Sequence, residues 1–215
     1  MSQKLIMYDS LTDYVYDRNQ DPLPLYYYPM IGRIYRKRVE MCLELLPGGD
    51  RVLEVGFGCG LCLPNLQILY KELHGIDLHS DCRAVAEAFS IQGISATLTN
   101  GSIVNLPYED EYFDSVLLVS ILEHLKKNEL EYAFSEVKRV LKKDGTMVYG
   151  VPVERPFMVF AFSLLGYNIR KHHFSTESEI SAMAAKYLRQ EQRTLLNLLP
   201  GKVLSVYEVQ RFTKR

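Results

Sequence analysis

Several groups of residues in this chain have types and spacings that could do chemistry. The first is Arg51-Val-Leu-Glu-Val-Gly-Phe-Gly-Cys-Gly60, an apolar run carrying one acid, Glu54, and then glycines at alternate positions, Gly56, Gly58 and Gly60. Such a run reads as a buried parallel strand, and glycines at its carboxyl end let main chain approach a ligand and take positive φ. The second is Asp77, which ends the short apolar stretch Leu73-His-Gly-Ile-Asp77 and lies 17 residues beyond Gly60. That distance holds one crossover helix and a parallel return, and a carboxylate at a second strand's tip can accept from ribose hydroxyls. The third is Ser120-Ile-Leu-Glu-His124, directly after the apolar run 115–119. His124 offers an imidazole that titrates near neutrality and could act as a general base. The plainer reading makes it a helix-start residue bonding backbone.

The glycine loop narrows the ligand. A dinucleotide fingerprint has glycine at the first, third and sixth loop positions, and the sixth position counted from Gly56 is Leu61. No Lys-Ser or Lys-Thr follows, so a P-loop is excluded. What remains is a nucleoside-type ligand without a pyrophosphate. Cys59 and Cys62 have the spacing of a redox pair at a helix start, but the glycines around them already account for that loop. His172-His173 is a second candidate for metal binding, yet no spaced third ligand accompanies it and no second cysteine pair supplies a zinc site. No metal is expected.

The elements that must position these residues follow from apolar periodicity. A tyrosine-rich arm over 1–30, broken by Pro22, Pro24 and Pro29, reads as irregular chain, either a lid over a pocket or a segment packed on the sheet. A helix over 31–46 carries Ile31, Ile34, Tyr35, Val39, Cys42, Leu45 and Leu46 on one stripe and stops at Pro47-Gly48-Gly49. After the glycine loop come a helix over 61–70, a strand over 73–77, a helix over 80–89 and a strand over 94–99. A polar turn-rich segment, 100–114, feeds the buried strand 115–119. An amphipathic helix then presents Leu130, Ala133, Phe134, Val137, Val140 and Leu141, Asp144-Gly145 stops it, and a fifth strand covers 146–151. Thr176-x-x-Glu179 is a capping box opening a helix, and 195–199 with 203–209 read as a closing hairpin around Pro200-Gly201.

Composition sets outer bounds. At 215 residues the chain is one domain with room for a core, and 47% hydrophobic with 24% charged residues describes an ordinary soluble globule. A net charge of −1 gives no basic footprint for nucleic acid, and Lys126-Lys127 and Lys142-Lys143 read as solvated helix ends. No secretory signal is evident, no run approaches the ~18 apolar residues of a membrane span, and the four cysteines fit a reducing cytoplasm.

Together these pieces resemble a class I S-adenosylmethionine-dependent methyltransferase of the small-molecule, type 11 kind. The matching stretches are 52–60, Gly-Ile-Asp-Leu (75–78), Gly-Ser-Ile-Val-Asn-Leu-Pro-Tyr (101–108), Phe-Asp-Ser-Val (113–116), Leu-Glu-His-Leu (122–125) and Arg-Val-Leu-Lys-Lys-Asp-Gly-Thr (139–146). They keep the family's order and spacing across roughly half the chain, and it is the set that is specific. The resemblance implies a Rossmann-like, doubly wound α/β fold: a seven-stranded, mostly parallel sheet, the last strand antiparallel, helices on both faces. It implies an arm and helix over 1–50 acting as a cap, and a cofactor-binding domain over 51–215 with an apolar insertion about 154–174.

It also implies roles. Gly56, Gly58, Cys59 and Gly60 would bring main chain to the amino-acid end and ribose of S-adenosylmethionine, with Glu54 near the ammonium. Asp77 would take the ribose hydroxyls, Leu78 would pack on adenine, and Gly101, Ser102 and Ile103 would lie at the adenine edge. Many relatives carry aspartate where this chain has Ser102, which lacks the charge that strengthens such a bond. Ser120 and Ile121 would lie beside the sulfonium, and Tyr28, Phe157 and His173 would face the acceptor. The expected function is methyl transfer to an oxygen, nitrogen or carbon of a small molecule, a lipophilic one where the apolar insertion covers the acceptor, with S-adenosylhomocysteine as product. The acceptor would be the partner; nucleic acid is not expected, membrane-surface contact is the lesser reading of the insertion, and the chain would be a monomer or homodimer. A cofactor-binding module that has lost catalysis is the competing reading, and Leu61 disfavours a nicotinamide oxidoreductase.

Overall fold

The computed structural model describes residues 4–18, 21–153, 173–198 and 204–215. Most of the expected apolar insertion, with Phe157 and His172, and the Pro200-Gly201 turn lie outside the described residues. In chain order the elements are α1 (Ile31–Leu43), β1 (Gly49–Val55), α2 (Leu63–Leu69), β2 (Tyr70–Asp77), α3 (Cys82–Ile91), β3 (Thr97–Asn100), β4 (Phe113–Val119), α4 (Lys127–Val140), β5 (Leu141–Pro152), α5 (Glu177–Tyr187), β6 (Arg189–Asn197) and β7 (Ser205–Thr213). Short 3-10 turns occupy Leu11–Asp13, Leu23–Tyr27 and Leu122–His124.

The strands form one seven-stranded sheet in the order β3-β2-β1-β4-β5-β7-β6. Pairing is parallel from β3 to β5, and β7 runs antiparallel between β5 and β6. The order reverses between β1 and β4, which opens a crevice outside their carboxyl ends, the place where such sheets bind ligands. The central strands are buried on both faces because helices cover both. On one side Val39 and Cys42 of α1, Leu63 and Leu66 of α2 and Val85 and Phe89 of α3 pack together with Leu23 and Tyr14 of the arm. On the other, Leu130, Phe134 and Val137 of α4 meet Ile180, Met183 and Ala184 of α5. The predicted capping box is formed: Thr176 Oγ1 accepts from the Glu179 main chain and Glu179 accepts from the Thr176 main chain.

Several boundaries differ from the sequence reading. The helix of 31–46 ends at Leu43 and its Ile31 is exposed, while Met41 and Leu43 join the core. β2 begins three residues early, at Tyr70, because α2 is only seven residues long. The third strand is displaced to Thr97–Asn100. β6 starts at Arg189 because its first half, Arg-Gln-Glu-Gln-Arg, is an exposed edge held by main-chain pairing to β7. Such an edge carries no apolar alternation to read.

The arm is fastened to the sheet's helix layer rather than left free. Asn65, buried at the start of α2, accepts from Ile6 N at 2.9 Å and donates to Lys4 O at 2.9 Å. Tyr8 and Tyr14 pack against Phe89 of α3, with ring centroids 5.6 and 6.1 Å from it.

Candidate functional site

The crevice at the carboxyl ends of β1, β2 and β4 holds a cavity of about 680 Å³, and the arm closes one side of it through Val15, Tyr16, Asp17, Asp21, Pro22 and Tyr26. Gly56 opens the loop after β1. Its φ is +72°, its N–H donates to Ile76 O at 2.7 Å, and a Cβ there would lie 2.0 Å from Ile121 Cδ1. Only glycine fits both the backbone and the space. Gly58 also has positive φ, and its N–H donates to Asp77 Oδ2 at 3.0 Å. Gly60 serves packing instead: a Cβ there would meet the Phe89 ring, and it does not line the cavity.

Asp77 lies at the tip of β2, where it organises main chain. Oδ2 takes the Gly58 N–H, and Oδ1 takes the N–H groups of His79 at 2.8 Å and Ser80 at 3.0 Å. Asp21 reaches over from the arm and accepts from Cys59 N at 3.1 Å and Leu23 N at 2.8 Å. The glycine loop is thus gripped from both sides by carboxylates. Burial pushes the Asp21 carboxyl above its ordinary range.

Glu54 is 3% exposed in β1 and lines the cavity, and its Oε2 has no hydrogen-bond partner in the protein. Burial pushes its pKa to about 8; a hydrogen bond from the Cys62 thiol pulls the other way, and the Asp77 charge adds a smaller upward push. An acid so placed asks for a cation. Arg38 of α1 also lines the cavity, and its guanidinium carbon lies 4.8 Å from the Tyr35 ring centroid and 4.3 Å from that of Tyr207. Its Nη2 donates to Ser120 Oγ, its Nε has no partner in the protein, and it has no ion pair among the described residues. Ser120 Oγ also meets Tyr207 OH at 2.9 Å. Ser120 follows the last residue of β4 with φ +56°, a conformation that L residues other than Asn and Asp rarely take. This turn aims the end of β4 at the cavity, as strained residues at sites often do.

The sequence-nominated residues therefore divide. Glu54, Gly56, Gly58, Cys59, Asp77, Ser120, Ile121 and His124 come together around one cavity. Leu78 is 61% exposed and Tyr28 57% exposed, and neither lines it. Gly101, Ser102 and Ile103 also lie off the cavity wall: Ile103 is buried in the α4 layer and Ser102 Oγ accepts from Val104 N at 3.4 Å. His79, Ser80 and Asp81 line the cavity in that direction instead. His173 lies beside His124 with ring centroids 5.3 Å apart. Cys59 and Cys62 are free and buried, and burial raises both thiols well above their ordinary range, so they lack the thiolate that redox chemistry needs. Arg38, Asp21 and Tyr207 escaped the sequence reading, whereas Tyr16 and Tyr26 belong to the tyrosine-rich arm that it read as a lid or a packed segment. Arg38 sits one turn after Tyr35 on a helix face, a pattern indistinguishable from an ordinary solvated arginine.

Comparison with known proteins bears on the domain and the fold. The family model for a methyltransferase domain matches residues 53–149. An uncharacterised protein of Methanocaldococcus jannaschii is 30% identical over 118 residues, 55% of this chain and 52% of that protein. An uncharacterised methyltransferase of Oceanobacillus iheyensis is 31% identical over 101 residues, 47% of this chain and 46% of that protein. The chain thus spans about half the length of the curated relatives it matches. Among solved structures, the N-methyltransferase NodS of Bradyrhizobium japonicum WM9, in complex with S-adenosyl-L-homocysteine, superposes with a TM-score of 0.68 at 17% identity, covering 92% of this chain and 93% of that one. That likeness shows the fold.

Proposed function

We propose that this chain, in which residues 53–149 match a methyltransferase domain, is a class I S-adenosylmethionine-dependent methyltransferase and transfers a methyl group from S-adenosylmethionine to a small-molecule acceptor. The observation that carries the reading is an acid and a base on the wall of one cavity, Glu54 and Arg38, each with a buried polar atom (Glu54 Oε2, Arg38 Nε) that has no hydrogen-bond partner in the protein. A zwitterionic amino-acid end satisfies both: its ammonium answers Glu54 and its carboxylate answers Arg38. Neither a nicotinamide dinucleotide nor a simple nucleoside has such an end.

The remaining residues take the other parts. Gly56 and Gly58 keep the loop free of side chains so that main chain can reach the ligand. Asp77 Oδ1 is filled by two main-chain donors, while Oδ2 accepts one and retains a lone pair for a ribose hydroxyl. Its role is therefore divided between shaping the loop and holding the sugar. His79, Ser80 and Asp81 form the wall beyond it. The cofactor, when bound, supplies an electrophilic methyl on a sulfonium, a very good leaving group. What the chain supplies is position: Ser120, Ile121 and Tyr26 wall the end of the cavity where an acceptor would be held in line. Asp17, Pro22 and Tyr26 of the arm also line the cavity.

The reading is tested by titrating S-adenosylhomocysteine into wild type, Glu54→Gln and Arg38→Met. Both variants should weaken binding while melting cooperatively. Decarboxylated S-adenosylhomocysteine should bind wild type and Arg38→Met alike. Unchanged affinity in both variants would overturn the assignment.

A further inference from the structure

Beside the cavity, and meeting it through His124, lies a cluster that methyl transfer from a sulfonium does not require. Glu123, His124 and His173 each offer one ligand atom, and these atoms lie within 4.8 Å of one another. The residues come from two places in the chain that main-chain bonds hold together. The turn Leu122–His124 is closed by His124 N donating to Ile121 O at 3.1 Å and Leu125 N to Leu122 O at 3.2 Å. The segment after His173 is bound to that turn: Phe174 N and Ser175 N both donate to Glu123 O, at 2.8 and 3.3 Å, and Ser175 Oγ donates to Leu125 O at 2.6 Å. The donors are thus preorganised by backbone rather than by the chance pose of long side chains.

We propose that Glu123, His124 and His173 bind a divalent transition metal of the zinc class, open to the acceptor end of the cavity. Two imidazoles and one carboxylate are a donor set for Zn, Mn, Fe or Co, whereas Mg and Ca take oxygen ligands. Three protein ligands leave coordination positions for water or a substrate oxygen. The open side faces the cavity because His124 lines it next to Ser120 and Ile121, while Glu123 is 3% exposed. A metal there would sit against the Glu123 carboxylate and take both imidazoles as ligands at once. It would grip an acceptor hydroxyl or carboxylate and lower the pKa of a bound hydroxyl. Metal binding as such is independent of the methyl-transfer reading; only the statement that the site faces the acceptor rests on it.

The test uses Co²⁺ as a spectroscopic probe and Zn²⁺ as competitor, on the full chain without cofactor. Co²⁺ should give the intense visible bands of a four- or five-coordinate site, and an equivalent of Zn²⁺ should bleach them. His173→Ala, a half-buried residue outside every helix, should weaken Co²⁺ binding at least about tenfold without changing the melting profile. His124→Ala should do the same, so the result does not hang on the buried Glu123. Weak octahedral-type bands, or Co²⁺ binding equal in wild type and both histidine variants, overturns the site. S-adenosylhomocysteine affinity, measured with and without Zn²⁺, is read separately: loss of cofactor binding alone would count against the methyl-transfer reading and leave the metal site standing.

Discussion

The two ends of the cavity are built by different means. The end under β1 and β2 is made of main chain and of residues close in sequence, from Glu54 to Asp81, with glycines clearing space and one aspartate collecting three N–H groups. The end beyond β4 is made of side chains drawn from everywhere: Arg38 of α1, Ser120, the turn at His124, the segment at His173 and Tyr207 of β7. Main chain at the first end can be altered only by moving the sheet, whereas side chains at the second change without disturbing it.

That contrast predicts graded consequences of mutation. The largest falls on the main-chain end. Gly56→Val adds a Cβ 2.0 Å from Ile121 Cδ1 in a left-handed conformation, and strain of about 1–3 kcal/mol plus the clash should weaken S-adenosylhomocysteine binding about a hundredfold or more by calorimetry. A variant that binds normally would show that the loop does not need its glycine.

Next is Glu54, where pH separates the protein from a simple scaffold. Its carboxyl titrates at about 8 in the folded chain against an ordinary 4.5. Between those values the folded state holds a proton that the unfolded state has released, so this group's contribution is full below 4.5 and is lost as pH rises through 8. Wild type without ligand should lose stability to urea across that window, by a few kcal/mol at most, and Glu54→Gln should flatten the loss. Parallel pH profiles for the two proteins would contradict the buried, unpaired state of this acid.

Arg38→Met comes third, since it tests the side-chain end. Losing a charge-assisted bond should cost roughly 1.5–3 kcal/mol of ligand binding, ten- to a hundredfold, and none for the decarboxylated ligand. Tyr207→Phe should do less. It removes one hydrogen bond to Ser120, worth about 1 kcal/mol, and should lower turnover more than cofactor affinity once an acceptor is in hand. Smallest of all is Ser102→Ala. Ser102 Oγ turns to Val104 N and lies off the cavity, so cofactor affinity should stay within about twofold, below the 1.4 kcal/mol of a tenfold change.

The same contrast explains what the sequence made legible. Strand-loop-strand spacing around Glu54, the glycines and Asp77 is local, and local patterns survive in one dimension; the sheet order and its antiparallel β7 follow from the motifs in register. Gly60 shares that spacing, yet the space beside it is taken by the Phe89 ring. Residues 101–103, expected at the adenine edge, lie off the cavity wall, where the turn after β3 buries Ile103 against the α4 layer. Arg38 and the approach of His173 to Glu123-His124 were invisible for a simpler reason. Those residues are 50 or so positions apart or more in sequence and meet only through the fold. Among the described residues no helix is long and apolar enough to cross a membrane.

The central claim is that the crevice at the tips of β1 and β2 holds the adenosyl amino acid with its ammonium against Glu54. Calorimetric titration of the wild-type chain with S-adenosylhomocysteine at pH 7, repeated in buffers of different ionisation heat, tests it directly. The account predicts a single site and release of about one proton per ligand bound, as an ammonium beside Glu54 drives off the proton held there. A folded protein that gives no binding heat, or that binds with no proton released, would contradict it.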